Sequence, residues 1–418
     1  KNARRENYNM KKFLTIMICA LMVLSMVGCT KEPDPTPTPG PDPTTVDTAT
    51  FEELLAAGKA NGNKLTIYTT HSVIEDAVKA FALKYGIDPT LVEATQIGDT
   101  NQVTQVATEV SSGVAGADLI FIQDGGRVLS ELVKPGYVYN WYNEEIKALV
   151  GEDCEPLLVW DYCNKVFIYN SATVAEGEIT NIWYVTDPQY KGTVKMKDPS
   201  SEGVNMNFLI MLTSDEYAAK LTAAYKEYYG TDLVLDADCP NAGYQFIKMM
   251  YNNELILGSS DGTIAKEIGD PAVTDKKLSG YLTLNKYVKT AQSSVEIDGV
   301  KKNYNLNYAK DVNPVAGFIY PIYGLLVKNA DNAELAKAFL IWLYSEEGWV
   351  GNGELTTDGT TVYKGMTGRF GDYSGNQALA VTEGDLPLVE WKKILISEDA
   401  QYCADYRADV EDCITLLK

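Results

Sequence analysis

Residues 65–86 read LTIYTTHSVIEDAVKAFALKYG, and this stretch holds the pattern that decides the fold. Residues 64–70 are rich in β-branched and aromatic side chains and predict a strand, whereas residues 72–85 repeat apolar side chains at helical spacing. The two elements are joined by a short polar junction that contains Thr70, His71 and Ser72. The stretch therefore predicts a buried strand that leads through a polar loop into an amphipathic helix.

The same alternation continues on the C-terminal side of this stretch. Strands are predicted over residues 88–94 and 117–122, and helices over residues 100–112 and 126–133. Strands that alternate with helices favour an α/β fold with a largely parallel sheet. Ligands of such sheets bind beyond the carboxyl ends of the strands. We therefore expect the polar junction and Asp124 to contribute to a ligand-binding site.

Two long apolar segments organise the rest of the chain. Residues 157–169 predict a crossing into a second lobe, and residues 317–327 predict the return crossing. Residues 269–312 are polar and lack periodicity, so we expect mostly loop there with at most a hairpin. The predicted first lobe comprises residues 51–165 and 317–418, and the predicted second lobe comprises residues 166–316. Further strands are predicted over residues 193–197 and 255–257, and further helices after Pro199 and over residues 215–229, 241–252, 332–344, 386–396 and 399–416.

The N-terminal region has the parts of an export signal. A basic start is followed by an uncharged apolar run over residues 13–28, and Cys29 comes directly after it. Residues 26–29, MVGC, resemble the lipobox of bacterial lipoproteins. This resemblance implies that residues 1–28 are removed and that Cys29 is lipidated. We therefore expect a lipid anchor in the cell membrane or the outer membrane, with the protein facing outside the cytoplasm.

Residues 29–50 predict a linker between that anchor and the folded domain. Proline recurs at every second position from Pro33 to Pro43, among threonine, aspartate and glycine. Such a composition favours extended polyproline II conformation and cannot build a core. The linker would hold the domain away from the membrane surface.

The charge of the chain argues against one class of partner. Removal of residues 1–28 takes away five basic residues and one acidic residue, which changes the formal net charge from −21 to −25. Nucleic-acid binding needs clustered lysine and arginine. We expect no nucleic-acid partner, no cofactor and a monomeric state.

The cysteines leave two alternatives open. Five cysteines follow the lipidation site, and export permits disulfide formation. The local pairs Cys154–Cys163 and Cys403–Cys413 are possible, but buried free thiols fit the sequence equally well.

The histidine content restricts the possible chemistry. His71 is the single histidine of the chain, so histidine-rich metal sites, the H-E-x-x-H motif and paired histidine acid–base machinery are excluded. Residues 258–262, GSSDG, fit the G-x-S-x-G pattern and would make Ser260 a nucleophile. An α/β hydrolase places its histidine after the serine, whereas His71 lies before Ser260. We therefore expect a protein that is not an enzyme, with a serine hydrolase that uses Ser260 as the lesser alternative.

Three polar junctions between a strand and a helix stand out. Beside the junction at His71, residues 198–203 contain Ser200 and Ser201, and residues 258–263 contain Ser259 and Ser260. Each junction could be a simple helix cap. Hydroxyl groups and free backbone N–H groups at helix N-termini also favour anions, and three such junctions predict one shared cleft.

Four segments, taken in order, resemble extracellular solute-binding proteins of ABC importers, in the branch that includes ferric-iron binders. They are residues 65–86, 116–136, 187–203 and 320–348. The resemblance implies a two-lobed α/β fold of the type II periplasmic-binding-protein kind, with two hinge-crossing strands and a cleft that closes on a solute. It also implies an importer permease as partner. Tyr320, in the return crossing, would line the cleft.

The resemblance leaves the solute open. Iron binders of this branch carry two adjacent tyrosines after a second-lobe strand, and residues 259–262 contain none, although His71 matches a histidine of some iron binders. The pair Tyr228–Tyr229 falls late in a helical pattern and is expected to pack. The hydroxyl-rich junctions favour a small anion such as a phosphorylated sugar or a phosphonate, and ferric iron is the alternative. A third alternative is a surface adhesin. Candidate cations for an anionic solute are Arg127, Lys195 and Lys197.

Overall fold

A computed structural model describes residues 46–351, 363–366 and 368–418. The predicted signal segment 1–28, the lipidation site Cys29 and most of the linker 29–50 lie outside these residues and stay predictions. Within the described part of the chain, no helix is both long and apolar enough to cross a membrane.

Strands and helices alternate along most of the chain. The strands are β1 Leu65–Thr69, β2 Val92–Gln96, β3 Leu119–Ile122, β4 Val138–Tyr139, β5 Val159–Asn170, β6 Val194–Lys197, β7 Ile256–Gly258, β8 Ser279–Thr283, β9 Ser294–Ile297, β10 Val300–Asn303, β11 Leu306–Tyr308, β12 Gly317–Val327, β13 Asp372–Ser374 and β14 Ile396–Ser397. The α-helices are α1 Phe51–Asn61, α2 Val73–Lys84, α3 Asp99–Ser111, α4 Gly125–Arg127, α5 Glu144–Val150, α6 Gly203–Leu212, α7 Asp215–Tyr229, α8 Ala242–Asn252, α9 Asp261–Ile268, α10 Leu284–Ala291, α11 Ala333–Leu343, α12 Glu346–Val350, α13 Leu388–Ile394 and α14 Ala400–Leu417.

The sheet has two groups of parallel strands on either side of one long antiparallel pair. Its order is β2-β1-β3-β12-β5-β8-β6-β7. Strands β2, β1 and β3 are mutually parallel, as are β8, β6 and β7, whereas β5 pairs with β12 in the antiparallel direction. Strand β12 pairs with β3 of the first group and β5 pairs with β8 of the second, so this central pair connects the two groups, as the two predicted crossings require. The predicted lobe boundaries stay a prediction.

Aromatic rings pack against each parallel group within one continuous hydrophobic core. In the first group, Phe121 packs edge-on against Trp160 and Phe339, at ring-centroid distances of 5.0 Å and 6.4 Å. In the second group, Phe208 stacks on Tyr281 at 4.5 Å. Every residue of β5 and β12 is buried, because helices or strands cover both faces of these two strands.

The prediction for residues 269–312 is wrong. This segment contains β8, which lies between β5 and β6, and the helix α10, in addition to the hairpin β9–β10 and the strand β11. The short strand SGYLT has too little apolar character to reveal a central position, because pairing on both sides buries its polar residues. Sequence analysis also missed α1 and α5. The helix predicted over residues 126–133 is the short α4 followed by a π-helical turn over Val128–Val133.

Of the two alternatives for the cysteines, disulfides or free thiols, the structure has free thiols. Cys154, Cys163, Cys239 and Cys403 are buried free cysteines, and Cys413 is a half-buried one.

Candidate functional site

A cleft of about 560 Å³ lies between the two parallel groups. The first group contributes the β1–α2 and β2–α3 junctions, and the second group contributes the β7–α9 and β8–α10 junctions. Residues of β5 and β12 form a wall between these two sets of junctions, and the segment 369–372 forms a further wall.

Six of the nine residues predicted from sequence line this cleft. They are Thr70, His71, Ser72, Ser259, Ser260 and Tyr320. Asp124, Ser200 and Ser201 are not among the lining residues, and the first two line a separate cavity of about 180 Å³. The β1–α2 and β7–α9 junctions therefore meet in one cleft, whereas the junction at Ser200 contributes Glu202 to it but neither of its two serines.

Asp124 lies in a buried ion pair. Its carboxylate accepts from Arg407 of α14 and, at 3.1 Å, from Asn207 Nδ2 of α6. A Cβ on Gly203 would overlap the same carboxylate, so α6 packs directly on it. Burial raises the pKa of Asp124, and Arg407 opposes that shift. Arg407 could not be predicted as the partner of Asp124 from sequence, because it lies 283 residues away.

The two serines of the second junction have local partners. Lys418 Nζ donates to Ser200 Oγ at 2.7 Å, and Ser201 Oγ donates to the Asp198 carbonyl oxygen at 3.0 Å. The ligand-binding role of Asp124, Ser200 and Ser201 stays a prediction that these contacts do not support.

Four helices begin at the cleft. Their N-terminal cap residues are Ser72 for α2, Gly98 for α3, Ser260 for α9 and Thr283 for α10. Ser260 Oγ accepts from the Thr263 backbone N–H at 3.4 Å, whereas the other three caps form no side-chain hydrogen bond to their helices. Helix N-termini carry partial positive charge and unsatisfied N–H groups, so this arrangement favours an anion.

His71 is buried against an arginine that sequence analysis missed. Its Nε2 lies 2.6 Å from Arg369 Nη2 and 3.7 Å from Asp372 Oδ1. Since a guanidinium only donates, Nε2 accepts and we assign the ring proton to Nδ1. Burial lowers the pKa of His71, and the adjacent Arg369 adds to this shift against the attraction of Asp372.

A possible metal-ligand group lies at the same place. Ligand atoms of His71, Asp161 and Asp372 all lie within 4.8 Å of one another. However, Arg369 Nε donates to Asp372 Oδ2 at 3.0 Å, and its Nη2 contacts His71. Burial opposes ionisation of Asp372, but the charge of Arg369 is the largest effect in the opposite direction, and the pKa of Asp372 is lowered to about 2. A fixed guanidinium therefore neutralises the position at which a cation would bind.

Two lysines of the cleft lack a close carboxylate partner. Lys286 and Lys289 of α10 line it, and among the described residues neither has a carboxylate oxygen within 4.0 Å. By contrast, Lys197 is paired with Glu202. The pKa of Lys289 is lowered by burial and then by the charges of Arg369 and Lys286. The two lysines lie on α10, and Arg369 lies in the wall formed by residues 369–372.

Asp99 is the lining carboxylate without a cationic partner in the described part of the chain. Burial and the charges of Glu202 and Asp124 raise its pKa to about 6. Its contribution of negative charge is therefore smaller than that of a solvated aspartate.

Two of the three predicted cations lie outside the cleft. Arg127 Nε donates to Glu131 at 2.6 Å, and Lys195 Nζ donates to Glu267 at 2.8 Å. Lys197 does line the cleft, as a partner of Glu202. The cleft lysines Lys286 and Lys289 were missed because they lie in the segment that was predicted to be loop.

The tyrosines do not form a ferric-iron ligand pair in the cleft. Among the lining residues Tyr320 is the one tyrosine, and burial raises the pKa of its phenol well above the ordinary value. Tyr228 and Tyr229 lie at the end of α7, where the Tyr229 hydroxyl is 2.8 Å from Thr186 Oγ1 and the two rings contact edge-on. The expected packing of this pair is confirmed.

Comparison with known proteins places this architecture in a class. Neither protein-family models nor curated proteins match the chain. Similar solved structures include iron-bound HitA from Pseudomonas aeruginosa, with 15% identity, 85% of this chain and 99% of that chain covered, and a TM-score of 0.57. AfuA from Actinobacillus pleuropneumoniae with bound fructose-6-phosphate has 18% identity, coverage of 85% and 97%, and a TM-score of 0.56. A ferric binding protein from Campylobacter jejuni has 13% identity, coverage of 85% and 99%, and a TM-score of 0.59.

At these identities the comparisons establish the fold. The chain has the two-lobed α/β fold of type II periplasmic binding proteins, which confirms the predicted fold class. Its structural neighbours are binding proteins of transport systems, and several of them bind iron.

Proposed function

We propose that this protein is the solute-binding component of an ABC importer and captures a small polar anion, such as a phosphorylated sugar or a phosphonate. The observation that carries the proposal is the pair Lys286 and Lys289, which face a hydroxyl-lined cleft without carboxylate partners among the described residues. Four helix N-termini at the same cleft add partial positive charge. The fructose-6-phosphate complex of AfuA supports this class of solute.

Binding would be coupled to closure of the cleft. Residues from both parallel groups line it, so a solute that contacts both groups favours a closed arrangement. The pivots would lie near residues 160–170 and 317–325, within β5 and β12. No bond is made or broken in this cycle, and the closed form is the one presented to the permease.

The anchor and location belong to the same proposal. A lipid on Cys29 and a proline-rich linker would keep a monomeric receptor outside the cytoplasm and near its importer. No nucleic acid takes part.

Ferric iron is the second candidate solute. The close approach of His71, Asp161 and Asp372 favours it, as do the iron-binding neighbours. Iron at this position would have to displace Arg369 from two of the three ligands. Hard Fe³⁺ also prefers phenolate ligands, and the lining residues include only Tyr320.

A thermal-shift and calorimetry panel tests the proposal. The probes are glucose 6-phosphate, methylphosphonate, glucose and ferric citrate. A ligand at 100 times its dissociation constant stabilises the fold by about 2.7 kcal/mol, which is measurable as an increase in Tm. We expect the two phosphorus-containing anions to raise Tm. A shift with ferric citrate alone would replace the anion by iron, and no shift with any probe would remove the support for solute capture.

A matched pair of variants tests the role of the two lysines. Charge-assisted hydrogen bonds contribute about 1.5–3 kcal/mol each, so Lys286→Gln with Lys289→Gln should weaken anion binding at least about tenfold. The control is Lys301→Gln with Lys302→Gln on the exposed hairpin strand β10, which should leave affinity unchanged. Equal effects of the two double variants would mean that net charge, and not the cleft, controls binding.

A further inference from the structure

Asn164 has a buried side-chain amide without a partner. It lies on β5 in the wall of the cleft and is only 1% exposed. Among the described residues, neither its Oδ1 nor its Nδ2 has a hydrogen-bond partner. Buried polar groups are nearly always hydrogen-bonded, because an unsatisfied one costs free energy. An orphan amide at the wall of a ligand cleft therefore points to a ligand group that completes it.

The same amide is connected to the cationic wall. The Asn164 backbone N–H donates to the Gly371 carbonyl oxygen at 3.0 Å. Gly371 has a φ of +78°, and a Cβ there would overlap Asn164 Oδ1 and lie 2.9 Å from Leu284 Cβ, at the start of α10. Gly371 thus packs between the amide and the helix that carries Lys289. Arg369 lies two residues before Gly371, so the amide and the cations belong to one continuous surface.

Arg369 is held in place for an anion. Its Nε donates to Asp372 at 3.0 Å, and Asn285 Nδ2 of α10 donates to the same carboxylate oxygen at 3.0 Å. Asp372 thereby fixes the guanidinium and α10 together. A pre-positioned guanidinium beside two lysines is suited to a phosphate or carboxylate group.

The orphan amide specifies the group next to that anion. A carboxamide offers one acceptor and two donors, and a ligand hydroxyl can satisfy both kinds because it donates and accepts. A phosphate oxygen can only accept, which would leave Oδ1 unsatisfied. We propose that Asn164 forms a hydroxyl subsite adjoining an anion subsite of Arg369, Lys286 and Lys289. The solute class is then a hydroxylated organic anion, such as a phosphorylated polyol. This inference rests on the proposed function and narrows it.

Calorimetry with matched probes tests the inference. The probes are glucose 6-phosphate, which has both groups, methylphosphonate, which has only the anion, and glucose, which has only hydroxyls. The variant is Asn164→Leu, and the control is Asn303→Leu on the exposed strand β10. The wild-type protein should bind glucose 6-phosphate at least about tenfold more tightly than either other probe, since two added neutral hydrogen bonds give about this factor.

The variant should separate the two subsites. Asn164→Leu should weaken glucose 6-phosphate binding about tenfold while methylphosphonate affinity stays within about twofold. Its ligand-free Tm should be equal to or above that of the wild type, because removal of an unpaired buried amide does not cost a hydrogen bond. Asn164→Asp, which has nearly the same shape, provides a second variant if the leucine prevents folding, and it should also lose affinity for glucose 6-phosphate.

The outcomes distinguish this inference from the proposed function. Equal wild-type affinities for methylphosphonate and glucose 6-phosphate, both unchanged in Asn164→Leu, would overturn the hydroxyl subsite and leave anion capture intact. Binding of ferric citrate alone would overturn both.

Discussion

Lys165 is a fully buried ammonium at the centre of the crossing strand β5, and its removal should destabilise the protein strongly. Its Nζ lies 2.7 Å from Asn205 Oδ1, 3.2 Å from Glu202 Oε1 and 3.5 Å from Asp261 Oδ2. Burial opposes the charged form, but the carboxylates Asp261 and Glu202 raise the pKa of Lys165 above its ordinary value. The ammonium therefore joins the starts of α6 and α9 at the cleft.

Lys165→Met keeps the length of the side chain and removes the charge. Loss of one partner of a buried ion pair costs about 3–5 kcal/mol, because the remaining charge is left uncompensated. Glu202 retains Lys197, so most of the penalty should come from Asp261. The control Lys195→Met on β6 removes an ion pair with the half-exposed Glu267, which contributes only about 0.2–1 kcal/mol.

Urea unfolding followed by tryptophan fluorescence measures these differences. We expect Lys165→Met to lose at least 2 kcal/mol more than the control, as an order-of-magnitude difference between the two penalties above. Addition of Asp261→Asn should restore part of that loss, since the orphan carboxylate is then removed. Equal losses for the two lysine variants, or no recovery in the double variant, would refute the assignment of Lys165 as a buried counter-ion.

Three further predictions follow from the same contacts. Burial raises the pKa of Glu398 from 4.5 to about 7, so the stability that the protonated carboxyl provides is present below about pH 4.5 and is lost as the pH rises through 7. This loss amounts to about 3 kcal/mol, and Glu398→Gln should abolish it in urea unfolding measured as a function of pH. An unchanged pH profile of the variant would contradict this assignment. Gly371→Ala and Gly368→Ala both place alanine at a φ near +77°, a backbone conformation that costs about 1–2 kcal/mol for either variant. Only the Cβ at position 371 would also overlap Asn164, so we expect Gly371→Ala to lower Tm and glucose 6-phosphate affinity more than Gly368→Ala. Equal Tm values would exclude the overlap. Cys29→Ala should move the protein from the membrane fraction to the soluble fraction with unchanged solute affinity, and retention in the membrane would argue against a lipid anchor.

Much of the fold could be predicted from sequence because its signals are local. The return crossing 317–327 coincides with β12, and the strand and helix around His71 differ from β1 and α2 by single residues at their ends. The strand β8 could not be predicted in this way. Its five residues become buried only because β5 and β6 pair with both of its edges, which is a property of the whole sheet.

The candidate site, too, could be predicted from sequence only where its signals are local. Polar junctions at strand ends are visible in the sequence, and those at His71 and Ser260 do meet in one cleft. The cations of the cleft could not be recognised in this way. Lys286 and Lys289 lie three residues apart on α10, a signal that requires the helix to be recognised first. Arg369 is placed by Asp372 and His71, and the second of these contacts spans 298 residues.

The crossing strand itself contained a signal that sequence analysis passed over. All twelve residues of β5 are buried, yet four of them are strongly polar: Asp161, Asn164, Lys165 and Asn170. Three of the four have partners within the fold. The Tyr373 N–H donates to Asp161 at 3.1 Å, Lys165 contacts two carboxylates and an amide oxygen, and Asn170 donates to the Ile268 carbonyl oxygen at 2.9 Å.

Asn164 is the exception among these four, since the described residues offer its amide no partner. A strand that served only as a connection would gain stability from an apolar residue there, because an unpaired buried amide costs about 1–3 kcal/mol. Trp160 Nε1 on the same strand also has no partner in the described part of the chain, but Trp160 is not among the residues that line the cleft. Asn164 does line the cleft, so we expect a solute to supply the partners of its amide, on the strand that connects the two groups of the sheet.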